Sequence, residues 1–345
     1  MNETSSLKDP AEPILLVTTK GDATLTAIDP HSGDIMSKAA AGDPNTAKPH
    51  ELTLTRDGRL AVISLYGNAD YGNNQPANQL SIVDLESMAE VRRLDLGLYR
   101  GPHGLITDND GKIWVTVECN QSALVLNPES WNIEQTVWLQ VGPHFLARSH
   151  HGERIYFSHK EIPFLSVVDA RKRHVMGQIM LPRGAQAIQV SPDDRWLYAG
   201  DFCQPLLHRI DTESMTLEKT IGLTGVPGWP YPTPDGQFVI VTTYDEHNDV
   251  GYVEIADAAS LTVLGRVKLN AEPFHAIAAG DGQHIYVALA DGSIPKIDLE
   301  RQAVVDHRLH VGAVMPEALL LASTDIAHGG RHLGDAATMR AGNEG

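Results

Sequence analysis

The chain has 345 residues, 42% apolar and 21% charged, which supplies a core for one large or two ordinary domains and excludes a disordered chain or a small disulfide scaffold. Its 27 Lys and Arg stand against 44 Asp and Glu, and a formal charge of -17 repels phosphate backbones and anionic membrane surfaces, so neither nucleic acid nor a membrane is an expected partner. Aromatic residues are scarce at 6%, while 30 Gly and 20 Pro spread along the chain mark many short elements joined by turns.

Residues 1–12 are polar and acidic, without a basic segment leading into an apolar one. They read as a flexible N-terminus, with a cytoplasmic protein as the expectation. Apolar runs such as Ala318 to Ala322 are too short to cross a bilayer. Two strands follow the N-terminus, Ile14 to Thr19 and Thr24 to Asp29. The second is the first instance of a repeat: a short apolar strand closing on Asp or Asn before a turn, seen at Asp29, Asp84, Asn127, Asp169, Asp211, Asp257 and Asp298.

Between these landmarks lie six hairpins, such as GPHGLITDNDGKIWVTV and VPGWPYPTPDGQFVIVT, each an alternating strand, a polar turn and a β-branched or aromatic strand. A seventh unit, MPEALLLAS, has only its first strand, and the N-terminal strands are there to complete it. Period-2 alternation argues against a helical solenoid. The expected fold is therefore all-β, a seven-bladed β-propeller of four-stranded antiparallel blades over residues 13–323, its ring closed by N-terminal strands completing the last blade. Residues 324–345, Gly-rich and containing His328 and His332, read as a mobile C-terminal tail.

The strand–turn–strand hairpins SPDDRWLYAG and TPDGQFVIVT, followed by the turn IDTESM, resemble the YVTN or YncE-like seven-bladed propellers. GPHGLITDNDGKIWVT resembles a blade of the virginiamycin B lyase and lactonase-like propellers, which implies a divalent metal at the channel mouth held by His and Glu. These motifs specify a blade and not a reaction.

In a propeller the innermost strand of each blade begins at the channel mouth, and the residue before it faces the axis. Those positions are His50, His103, His144, Gln186, Gly228 beside Trp229, the Phe274–His275 pair and Glu317. Neutral imidazole is a common ligand of Fe, Cu and Zn, and ligands from separate blades converge on an axis. The expected cofactor is a divalent transition metal, Fe(II) or Cu ahead of Zn, on His50, His103, His144 and His275, with Glu317 as ligand or imidazole acceptor. Gln186 and Trp229 would meet substrate or support the ligands. Four histidines from separate blades around one iron is also the arrangement of the carotenoid-cleaving oxygenases, which the chain resembles in that respect only.

Loops joining the second and third strands of each blade form the rim. Blade 1 inserts Tyr66 to Asn78, a lid or a solvated Gly- and Asn-rich tip; later rims carry Glu118 and Cys119, His159, Asp201 and Cys203, and Tyr244 with Asp245 and His247. His159, Tyr244 and His247 are the candidate acid–base groups, while Glu118, Asp201 and Cys203 would contact substrate or back the metal. Serine-hydrolase, nucleotide-binding and H-E-x-x-H motifs are missing. The expected function is metal-dependent oxidation of a small organic substrate with O2. Metal-dependent elimination or lactone opening is the alternative, and a non-catalytic propeller binding a small ligand or a protein partner is a third.

Overall fold

The computed structural model describes residues 13–67 and 75–323. Among these, 28 strands form seven antiparallel sheets of four, as the repeat predicts. The inner strands are Lys48–Leu54, Pro102–Thr107, Leu146–Arg148, Ala185–Val190, Val226–Pro232 and Pro273–Ala278 for blades 1 to 6, and Pro316–Ser323 for blade 7. Blade 7 closes the ring: Pro316–Ser323 pairs with Pro13–Thr19, followed outward by Thr24–Ile28 and Ile35–Ala40. The predicted tails, 1–12 and 324–345, lie outside the described residues, as does 68–74 within the predicted blade 1 lid. No described helix is long and apolar enough to cross a membrane.

The Asp landmarks of the repeat have a local cause. Asp211 accepts the backbone N–H of Glu213 at 3.0 Å and of Ser214 at 2.9 Å, and Asp257 accepts that of Ser260 at 2.6 Å. These bonds hold the turn before the outermost strand and keep both carboxyls below the usual carboxylate range. Four residues after each Asp the chain enters the left-handed region, at Met215 and Leu261. Burial is concentrated between blades, where Leu16, Leu25, Leu54 and Leu65 of blades 7 and 1 pack in one cluster. Outer strands are largely exposed, as in Ala89–Asp95.

Candidate metal centre on the propeller axis

Five inner strands begin with the same irregularity. Pairing with the second strand breaks between Pro49 and Leu52, Pro102 and Leu105, Ala185 and Ile188, Pro227 and Pro230, and Pro273 and Ala276. Each break frees two residues: His50–Glu51, His103–Gly104, Gln186–Ala187, Gly228–Trp229 and Phe274–His275. A bulge of this kind re-aims a side chain out of the pleat, and here it delivers a polar or aromatic residue to the axis.

Hydroxyl groups on or just after the second strands hold the inner-strand starts of several blades. Thr116 Oγ1 accepts the N–H of Gly104 at 2.8 Å and donates to the carbonyl of His144 in the next blade at 2.9 Å. Thr18 links Ala318 to His50, Ser158 links Phe145 to Gln186, and Thr242 links Trp229 to Phe274 in the same manner. Four of the seven blade boundaries are thus bridged by hydrogen-bonded hydroxyls, each bond contributing roughly 1 kcal/mol.

Three of the predicted ligands come together. The rings of His50 and His103 lie 4.1 Å apart by centroid, and those of His103 and His144 lie 4.0 Å apart. All three residues are buried. His50 Nδ1, His103 Nδ1 and His144 Nε2 are buried without a hydrogen-bond partner among the described residues. His144 Nδ1 is bonded to Glu118 Oε1, while Glu118 Oε2 accepts the hydroxyl of Tyr66 at 2.5 Å. His103, Glu118 and His144 form a set whose donor atoms lie within 4.8 Å of one another. With both its oxygens engaged, Glu118 fixes the His144 tautomer and leaves Nε2 bare toward the axis. Tyr66 also packs its ring edge-on to His50 and His103, at 5.5 and 5.2 Å.

The electrostatics favour neutral donors. Burial holds the imidazoles of His50, His103 and His144 well below the ordinary histidine range, and the ammonium groups of Lys20 and Lys160 push them the same way. A neutral ring presents a lone pair, which a metal requires and a buried imidazolium lacks.

Of the remaining axial candidates, Glu317 borders the triad at His50, whereas His275 packs against Trp229. Glu317 binds Lys20 Nζ at 2.6 Å, with its other oxygen 3.6 Å from His50 Nδ1. Beside it, burial and the Glu317 carboxylate push Glu51 up to about 8. His275 lies in blade 6 against Trp229, with ring centroids 4.1 Å apart, and Trp229 meets Phe145 at 5.1 Å. Gln186 follows Phe145 in blade order.

Of the rim candidates, His159 is fully buried with Nδ1 at 3.0 Å from the Gly142 carbonyl and Nε2 at 2.8 Å from Ser166 Oγ, so both ring nitrogens are occupied. Asp201 is also fully buried, where it accepts the N–H groups of Cys203 and Gln204 and lies 3.4 Å from His208 Nε2. Cys203 and Cys119 are free and exposed. The Tyr244 hydroxyl donates to Asp249 at 2.5 Å, a bond that pushes its phenol up to about 12. His247 is exposed on the adjoining turn. None of these six side chains is hydrogen-bonded to the imidazole triad.

Sequence reasoning did not single out Tyr66 itself, Phe145, Lys20 or Lys160. A signal was available, because two residues after the relay hydroxyls Thr18, Thr116, Ser158 and Thr242 come Lys20, Glu118, Lys160 and Tyr244, and Tyr66 stands in the same place after Ser64. From Glu118 onward this second ring recurs every 42 residues, through Lys160 to Phe202 and Tyr244. A pocket of about 150 Å³, lined by Glu118, Gly142, His144, Lys160 and Glu161, borders the triad at His144. Burial brings the Lys160 ammonium down to about 8, against the opposing pull of Glu118 and Glu161.

No family model and no curated protein sequence matches the chain. Solved structures do match in fold. Hydrazine synthase of Kuenenia stuttgartiensis superposes with a TM-score of 0.65 at 18% identity, over 74% of this chain and 78% of that one. The dihydro-heme d1 dehydrogenase NirN, in complex with DHE, gives 0.63 at 16% identity, over 94% and 71%. A protein of unknown function from Desulfotomaculum acetoxidans gives 0.69 at 11% identity, over 89% and 98%. At these identities the likeness is one of fold.

Proposed function

We propose that this propeller is a metal-dependent enzyme whose transition-metal ion is held on the axis by His50, His103 and His144 and acts on a small organic molecule entering through the Glu118–Lys160 pocket. The observation that carries the reading is the bare, buried ring nitrogen of each of these three neighbouring imidazoles. An unpaired polar atom away from water is costly, and a cation bound between His103 and His144, with the His50 ring stacked beside them, would relieve that cost. An all-imidazole set suits Fe(II), Cu or Zn and not the oxygen-seeking Mg or Ca. Iron or copper so held is redox-capable, and we favour oxidation of the substrate with O2.

Within that assignment Glu118 orients His144, Tyr66 holds Glu118 and covers His50 and His103, and the pocket admits substrate beside His144. Lys160 supports a second reading, elimination or lactone opening. An amine that loses its proton near pH 8 in the same pocket is a serviceable base beside a Lewis acid. The blade likeness to YncE-like and lactonase-like propellers is compatible with either.

Elemental analysis of protein purified without a histidine tag tests the reading. About one equivalent of Fe or Cu, lost in His103→Ala, is expected; Zn in its place favours the elimination chemistry. Protein that binds none of the three, or whose metal content is unchanged in His103→Ala, overturns the proposal.

A further inference from the structure

The axis has a second half that the triad does not use. Past Phe145, the ring continues through Gln186, Trp229 and His275, and each has a buried polar atom with no hydrogen-bond partner among the described residues: Gln186 Oε1, Trp229 Nε1 and His275 Nδ1. Trp229 is 8% exposed and His275 9%. Their backbones are held by the same bulge and relay hydroxyls that fix the triad, with Ser158 on the Gln186 carbonyl and Thr242 between Trp229 and Phe274.

The chemistry of these three atoms is complementary to a narrow class of ligand. The Trp229 indole N–H can only donate, so it requires an acceptor. Gln186 Oε1 can only accept, so it requires a donor. The rings of Trp229 and His275 pack on each other at 4.1 Å, so a ligand meets their polar edges and not the space between them. The His275 ring feels burial and no ionised neighbour, whereas Lys20 and Lys160 act on the triad. A carboxylate seated here would be buried without a counter-ion.

We propose that Gln186, Trp229 and His275 form a subsite for a small uncharged organic group carrying a hydrogen-bond acceptor next to a donor, of the kind a primary amide presents. The subsite rests on the small-molecule reading above and names its substrate class, an uncharged polar compound gripped across the axis from the metal. Water is the competing occupant, since it too satisfies donors and acceptors in a channel.

The test uses the full chain stripped of metal, so it stands apart from the metal assignment. The five tryptophan indole N–H signals are recorded by 15N NMR, with Trp229 identified through Trp229→Phe. Acetamide is expected to shift the Trp229 signal saturably while leaving the other four in place. Acetate, of the same size but charged, is expected not to. Gln186→Leu should weaken the acetamide titration about tenfold, with the other four indole signals reporting an intact fold. The proposal is overturned if acetate binds as tightly as acetamide, if acetamide moves all five signals alike, or if the Trp229 proton shows contacts to water that no probe displaces. Loss of metal binding in His103→Ala leaves this result untouched, so either assignment can fail alone.

Discussion

One carboxylate oxygen of Glu118 in blade 2 is hydrogen-bonded to His144 Nδ1 in blade 3, turning the bare Nε2 of that imidazole toward the axis. The relationship crosses a blade boundary and joins residues 26 apart in sequence. It makes Glu118 the group that decides which nitrogen of His144 is left bare, and Tyr66 the group that holds Glu118 in place.

Removing that support weakens the centre without removing a ligand. Glu118→Ala is expected to lower affinity for Zn or Co about 10- to 100-fold, the usual effect of losing a hydrogen-bonded carboxylate behind a ligating histidine. Tyr66→Phe, which keeps the ring against His50 and His103, should lower it less. Competition titration with a chelating dye measures both, and unchanged affinity in Glu118→Ala would remove Glu118 from the centre.

The relay hydroxyls make a prediction about stability. Thr116→Val preserves shape but leaves the Gly104 N–H without its acceptor and the His144 carbonyl without its donor, which costs about 1–3 kcal/mol. Thr116→Ser should recover most of the loss. Urea denaturation reads the difference as a shift in midpoint, and equal midpoints for Val and Ser variants would contradict the relay.

His275 links the axis to pH. Burial holds its imidazole down at about 3, below the ordinary value of 6.5 that it regains on unfolding. Between those values the unfolded chain binds the extra proton, so stability is lost as pH falls from about 6.5 toward 3. His275→Phe, which keeps a ring against Trp229, should therefore reduce the decline in melting temperature between pH 7 and pH 5 measured on metal-free protein. An identical decline in the variant would show that His275 is not among the groups responsible.

Strand type and turn positions are local properties repeated along the chain, and counting the repeats gives the blade number and the partial blade at each end that closes the ring. Apolar runs such as Leu15 to Val17 mark strands buried on both faces, and landmark aspartates such as Asp211 hold their turns through hydrogen bonds to N–H groups two and three residues on. Such features are written in short stretches of chain, and the histidines at 50, 103 and 144 could be placed on the axis by counting from them. What the count could not supply was pairing between blades. Whether Glu118 would contact His144 or solvent, whether Glu317 would meet a metal or Lys20, and whether His159 would reach the mouth or be consumed by Gly142 and Ser166 depends on bulges and rotamers. These bring together residues far apart in sequence. The tertiary structure decided which ring nitrogens are bare, because hydrogen-bond satisfaction in a closed ring belongs to neighbouring blades jointly and to no single repeat.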